Sequence, residues 1–148
     1  MYTGLKIQND FTDCYQELIL SKDHELIKLK NIIEWKKIDK IYKSCYSSKV
    51  GNTTKETNIV IGLILLKHLY RKSYRDLIER LHENVAFMHF CSVSFMDIEK
   101  ARLKAKEKEK RTGKKTKGYV IHYSTLYRII KRLGRDNIKK IEQLFTKK

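Results

Sequence analysis

The sequence predicts an all-α protein: a helical bundle with a helix-turn-helix-like hairpin and a basic, partly disordered arm. Three observations lead there. The 148 residues contain no Pro and only six Gly, while Leu, Ile, Lys and Glu dominate, so little in the chain forbids helix. Apolar residues recur at spacings of three and four, the period of one helical face. Positive charge is concentrated near the C-terminal third rather than spread evenly.

Taken in order, Phe11, Cys14, Tyr15, Leu18 and Ile19 form a first helical face. Leu26, Leu29, Ile32 and Ile33 continue the pattern after the capping candidates Ser21 and Asp23, and Trp35 closes the segment. Ile38, Ile41, Tyr42 and Cys45 make another short face, and Tyr46 to Thr54 reads as a loop. Thr53 and Glu56 have capping-box spacing, so a helix begins there; its body, Ile59 to Tyr70, is apolar nearly all round and belongs at the centre of the fold. Ser73 and Asp76 repeat the capping-box signature and open a helix that buries Leu77, Ile78 and Leu81 and exposes Arg75, Glu79 and Arg80. A central helix, a turn of about three residues and a second helix fit a helix-turn-helix, and equally any other αα-hairpin. Val85 to Phe95 carries Phe87, Phe90 and Phe95 with Met88, followed by Met96, and reads as core packing.

Glu99 to Gly118 differs in kind. Ten residues are basic, three are acidic, and the net +7 is a large part of the chain's +16. Its second half, with Gly113 and Gly118, reads as a mobile loop. Two readings stand for it: an arm that grips phosphates through Lys104, Lys106, Lys108, Lys110, Arg111, Lys114 and Lys115, or a solvated linker. Basic charge elsewhere in the chain favours the first. Tyr119, Val120, Ile121 and Tyr123 form a short strand or packed loop. Ser124 caps a helix burying Leu126, Ile129, Ile130 and Leu133, with Tyr127, Arg128, Lys131 and Arg132 opposite. Such a helix suits a major groove, or is a surface helix with ordinary solubilising charge. Gly134 ends it, and Asp136 or Asn137 starts a last helix burying Ile138, Ile141, Leu144 and Phe145. The chain divides into a helical domain over residues 1–98, a basic arm over 99–118 and a C-terminal basic helix pair over 119–148 packed on the same domain.

With 33 Lys and Arg against 17 Asp and Glu, a polyanionic partner is expected, nucleic acid before an anionic membrane. Met1 to Asp10 is polar and Ile59 to Leu66 is too short to span a bilayer, so no membrane association is expected. Cys14, Cys45 and Cys91 form no CxxC pair, and read as free thiols in a reducing cytoplasm. The five histidines are scattered and the carboxylates lie among lysines, so no metal site, cofactor or catalytic constellation is expected.

Several segments resemble a known family in serial order. Leu26 to Trp35 (LIKLKNIIEW), the loop Tyr46 to Gly51, Val60 to Tyr70 (VIGLILLKHLY), Ser73-Asp76-Leu77, Glu83-Asn84 with Phe87 to Cys91 (FMHFC), and Ser124 to Gly134 (STLYRIIKRLG) together resemble the N-terminal, InsH-type region of DDE-class insertion-sequence transposases. The likeness spans Asp23 to Leu144. Asn52 and Thr53 replace the family's Arg-Pro, Ser92 replaces a Gly, and Ile130 stands where a second Arg is frequent.

The resemblance implies a bacterial, nucleoid-associated protein of a mobile element that binds double-stranded DNA at terminal inverted repeats. On that view the DNA-binding residues are Ser73, Tyr74, Arg75 and Arg80 near the hairpin, with Thr125, Tyr127, Arg128, Lys131 and Arg132 on the later helix. The family continues into an RNase H-like catalytic domain with three metal-binding acids, and no segment of the sequence corresponds to it, so the chain reads as truncated and no catalysis is expected of it. Pairing as a homodimer or with a full-length transposase is also expected on that view, and the alternative readings are a non-catalytic regulator or dimerisation partner of a full-length transposase and an inert gene fragment.

Overall fold

In the computed structural model, which describes residues 24–45 and 57–146, seven helices account for the regular structure and no strand occurs among the described residues. They are α1 (Glu25–Ile32), α2 (Trp35–Ser44), α3 (Thr57–Tyr70), α4 (Tyr74–Leu81), α5 (Val85–Phe90), α6 (Phe95–Thr112) and α7 (Tyr123–Thr146). The helical face at Phe11–Ile19, the caps at Ser21, Asp23 and Thr53, and the loop after Cys45 lie outside the described residues.

The apolar run places α3 where the sequence predicts it. Ten consecutive residues, Thr57 to Leu66, are buried, because α2, α4 and α7 cover the helix from different sides. Each fully buried Leu or Ile contributes about 1.5–3 kcal/mol relative to exposure. Thr57, polar and buried, donates its hydroxyl to Asp39 Oδ1 of α2 (2.7 Å), so no hydrogen-bonding cost is left at that end.

At α1 the cap is His24, whose Nδ1 accepts from Leu26 N–H at 3.1 Å. Trp35 does not close this segment. It opens α2, and its indole N–H reaches back to the Lys30 carbonyl (3.1 Å) while its ring meets Phe90 edge-on at 6.1 Å. Ile38 and Tyr42 face the core from α2, and Lys36, Lys37, Lys40 and Lys43 face outward. The α3–α4 hairpin has the expected three-residue turn, with Arg71 in left-handed backbone (φ 54°) and Ser73 Oγ accepting from Asp76 N–H (3.2 Å). Asn84 caps the short α5, whose Ala86 to Phe90 are all buried.

Phe95 and Met96 are a correction to the expected core. They are 38% and 58% exposed. Ser94 and Asp97 form a reciprocal capping box that starts a new helix at Phe95, and that helix turns Ile98 inward instead. The same helix runs on through residues 99–112, so the first part of the basic arm is ordered helix. Gly113, in left-handed backbone, ends it, and residues 114–118 form the loop expected of the second half.

Between Tyr119 and His122 the chain is a packed loop with Ile121 fully buried. Helix α7 then begins at Tyr123, one residue before the expected cap Ser124. It breaks at Gly134 (φ 80°, ψ 161°), a conformation essentially restricted to glycine. The break is held in place from two sides. Asn137 Nδ2 donates across the kink to the Leu133 carbonyl (2.8 Å) and to Cys45 Sγ (3.3 Å) at the end of α2. Arg132 Nε donates to the Cys45 carbonyl (3.1 Å).

Candidate nucleic-acid interface

The first half of α7 is strongly two-sided. Leu126, Ile129 and Leu133 are buried and Ile130 is half-buried; Tyr127, Arg128, Lys131 and Arg132 are exposed. The apolar side is used up against the body of the fold, since α7 packs on α2, α3 and α4. The basic side is left to solvent.

That side is continuous with α4. The Arg75 guanidinium lies over the Tyr123 ring at 4.6 Å, Tyr123 and Tyr127 stack at 6.0 Å with ring planes 26° apart, and Lys131 Nζ sits 5.7 Å from the Tyr127 ring. A cation, two rings and a second cation therefore form one row across two helices far apart in sequence. Each cation–ring contact contributes about 0.5–1 kcal/mol at such exposed positions. The row fixes where the charges point and leaves the outward edges of the rings and cations free to meet a ligand.

The remaining expected site residues divide. Arg128 is exposed beside the row, and Thr125 is half-buried in the first turn of α7. Arg132 is on the same face but anchored to the end of α2. Ser73 spends its hydroxyl on the α4 cap. Tyr74 turns towards α3 and the second half of α7: Lys67 Nζ is 4.6 Å from its ring, and burial, then Glu142, push its phenol up to about 12. Arg80 hydrogen-bonds Asp76 Oδ1 through Nε (3.4 Å) and borders a shallow depression with Glu79 and Glu83, an acidic neighbourhood poorly suited to phosphate. The structure brings Arg75, Tyr127, Arg128, Lys131 and Arg132 to the row or its margin. Ser73, Tyr74 and Arg80 do other work.

The arm adds a second basic surface. Lys104, Lys106, Lys108, Lys110, Arg111, Lys114 and Lys115 are all exposed. On α6, Lys100, Lys104 and Lys108 make one row at four-residue intervals and Arg102, Lys106 and Lys110 make another, each with a pitch of about 6 Å along the axis. Of the eighteen residues in α6 only Ile98 is buried, so the helix is a rod of about 27 Å rooted at its first turn. The return segment doubles back along it. A Cβ on Gly118 would stand 2.8 Å from Arg102 Cα and 3.1 Å from the Ala101 carbonyl, a backbone approach only glycine permits.

His82, the C-cap of α4, fastens the root of the arm. Its Nε2 accepts from Val120 N–H (3.1 Å), and its ring meets Tyr119 at 5.3 Å. Burial first, and Arg102 second, lower its pKa against a smaller opposing effect of Glu83, consistent with a neutral acceptor. Tyr119 in turn donates its hydroxyl to Glu79 Oε1 (3.3 Å). Sequence reasoning missed Tyr119, His82 and Tyr123 in these roles. The i, i+4 spacing of Tyr123 and Tyr127 was the one legible signal, because residues so spaced share a helix face.

Among the described residues no group of three or more His, Cys, Asp or Glu is placed to hold a metal ion, and no helix is long and apolar enough to cross a membrane.

The fold and this face define a small all-α protein with a basic, tyrosine-lined surface. Residues 13–101 match the family described as Transposase domain (DUF772), and the chain belongs to that family. A protein of Rhizobium meliloti described as "Uncharacterized protein ORF8 in nfe locus" is 28% identical over 92 residues, covering 62% of this chain and 44% of that protein. The chain thus spans less than half the length of this curated relative. No solved structure matches it. The matched family region takes in α1 to α5 and the first turns of α6; the outer part of the arm and all of α7 lie beyond it.

Proposed function

We propose that the chain is a DNA-binding module of a transposase-family protein, which recognises terminal inverted repeats of a mobile element and relies on a catalytic domain that these residues do not supply. The observation that carries this reading is the Arg75–Tyr123–Tyr127–Lys131 row beside the exposed Arg128. The first half of α7, eleven residues and about 16 Å long, presents this basic side and enters the major groove, with Arg128 and Lys131 at base edges. The lysines of α6 and the return segment hold phosphates and set the register.

The test is capture of fragmented genomic DNA by the purified protein at low and at physiological salt, followed by sequencing. Inverted-repeat ends enriched at physiological salt, and lost with Arg128→Ala plus Lys131→Ala, are the expected result. Uniform retention that disappears as salt rises marks polycation behaviour alone and sinks the reading.

A second reading, a non-catalytic partner or regulator of a full-length transposase, is favoured by one observation. Met96 and Leu103 are 58% and 49% exposed and lie seven residues apart on one face of α6. Co-purification with the longer protein in the absence of DNA, lost on Leu103→Lys, is expected if that face pairs.

A further inference from the structure

Beside the row lies a cleft of about 460 Å³ between α4, the return segment and the start of α7. Its floor is Ile78, its walls include the rings of Tyr119, His122 and Tyr123, and Arg75 and Lys117 stand at its edge. The lining is more apolar than polar, which suits the flat face of a base rather than a hydrated ion. Tyr119 and His122 are 6.4 Å apart, and Lys117 Nζ is 5.7 Å from the Tyr119 ring. One carboxylate, Glu79, reaches the cleft, where it accepts from the Tyr119 hydroxyl and pairs with Lys117 at 3.7 Å.

This combination has a specific chemical fit. Aromatic faces stack bases of any identity, cations at the rim hold the backbone phosphates, and a carboxylate accepts from an exocyclic amino group such as that of cytosine. A base in the interior of a duplex cannot use it, because both its faces are stacked and its amino edge is paired. The sequence alone shows no exposed stacking platform, and it is the fold that assembles one, by bringing Tyr119 and His122 next to Tyr123 and across from Ile78 of α4.

We infer that this cleft binds an unpaired nucleotide of DNA, such as a frayed or overhanging end next to the duplex held by α7. Tyr119 and His122 stack the base, Lys117 and Arg75 hold its phosphates, and Glu79 contacts its amino edge. The inference rests on the DNA-binding reading for the neighbouring duplex, and the experiment separates the two.

The experiment measures affinity for three probes at physiological salt: a blunt duplex, the same duplex with a three-nucleotide single-stranded overhang, and the overhang sequence alone. The overhang is expected to tighten binding about tenfold over the blunt duplex, within what one base stacked on an aromatic ring supplies. Tyr119→Ala and, separately, the exposed His122→Ala are expected to reduce that ratio towards one; blunt-duplex affinity stays the same in His122→Ala, whereas Tyr119→Ala also loosens the root of the arm and is read on the ratio alone. Thermal unfolding of each variant identifies any loss of fold; because His122 is exposed, its variant keeps the test open if Tyr119→Ala unfolds. Equal affinity for blunt and overhanging duplex overturns the inference and leaves duplex recognition standing. A tenfold gain that survives both substitutions also overturns it, since the gain then arises elsewhere. Tight binding of the overhang strand alone, lost in both variants, supports the cleft even if the blunt duplex is not held. No binding to any probe removes both readings.

Discussion

His82 shows how one side chain joins the arm to the body. Its ring must be neutral at Nε2 to accept the Val120 N–H, and in the folded chain its pKa is lowered from 6.5, first by burial and then by Arg102. In the unfolded chain the imidazole is free to protonate at its ordinary value. The unfolded state therefore binds the proton first as pH falls. The stability His82 contributes is present above pH 6.5 and is lost as pH drops through the lowered folded value. Apparent Tm is expected to fall between about pH 7.5 and pH 5.5, and His82→Gln, which keeps an acceptor without a titrating ring, is expected to flatten that change. Thermal unfolding of both proteins across the range measures it. An equal pH dependence in the two would place the effect in other groups.

At the scale of the element, most helices were legible because their apolar spacing survives folding unchanged. Leu77, Ile78 and Leu81 in α4 and Leu126, Ile129 and Leu133 in α7 are buried as their periodicity demands. The failures share a cause: a run of apolar residues does not say which element owns each one. Phe95 and Met96 adjoin the core residues Phe87 to Cys91, yet the Ser94–Asp97 capping box assigns them to the exposed first turn of α6. Trp35 follows an apolar run but opens the next helix. The helicity of residues 99–112 was hidden by charge, which marks exposure and not disorder. At the candidate site, Arg128, Lys131 and Tyr127 were readable from one helix, whereas the joining of Arg75 to Tyr123 depends on how α4 and α7 meet. The arm itself gives a test. Gly118→Val places a side chain against the backbone of Arg102, so the return segment must leave α6. Trypsin is expected to cut after Lys114, Lys115 or Lys117 several-fold faster in the variant, and any fall in Tm reports how far the displacement reaches the Val120 bond to His82 and the buried Ile121. An unchanged cleavage rate would show that the segment is not held there.

Over the whole molecule, the proposed DNA binding divides between two surfaces that differ in charge and shape. The arm is a rod of lysines with ordinary solvated geometry, able to neutralise phosphates but blind to sequence. The face of α7 is held by its ring–cation contacts and by the anchors of Arg132 and Asn137 on Cys45, and under the proposed function it is this face that discriminates base edges. Substitutions in the two should therefore fail differently. Lys104, Lys106, Lys108 and Lys110 replaced together by Gln keep helix-forming residues on α6 and remove four charges. Every phosphate that is no longer neutralised lowers the magnitude of the slope of log affinity against log salt by about 0.9, so a decrease of about 2–4 is expected, with preference for the selected DNA site retained. Arg128→Ala with Lys131→Ala should instead cost about 1–3 kcal/mol of discrimination for each base edge no longer read, and change the slope by no more than the phosphates those two residues touch. Binding isotherms at four or five salt concentrations, on the selected site and on a scrambled duplex, resolve both quantities. If the arm variant loses site preference while the α7 variant loses only salt dependence, the two surfaces have the opposite roles, and the recognition element is α6.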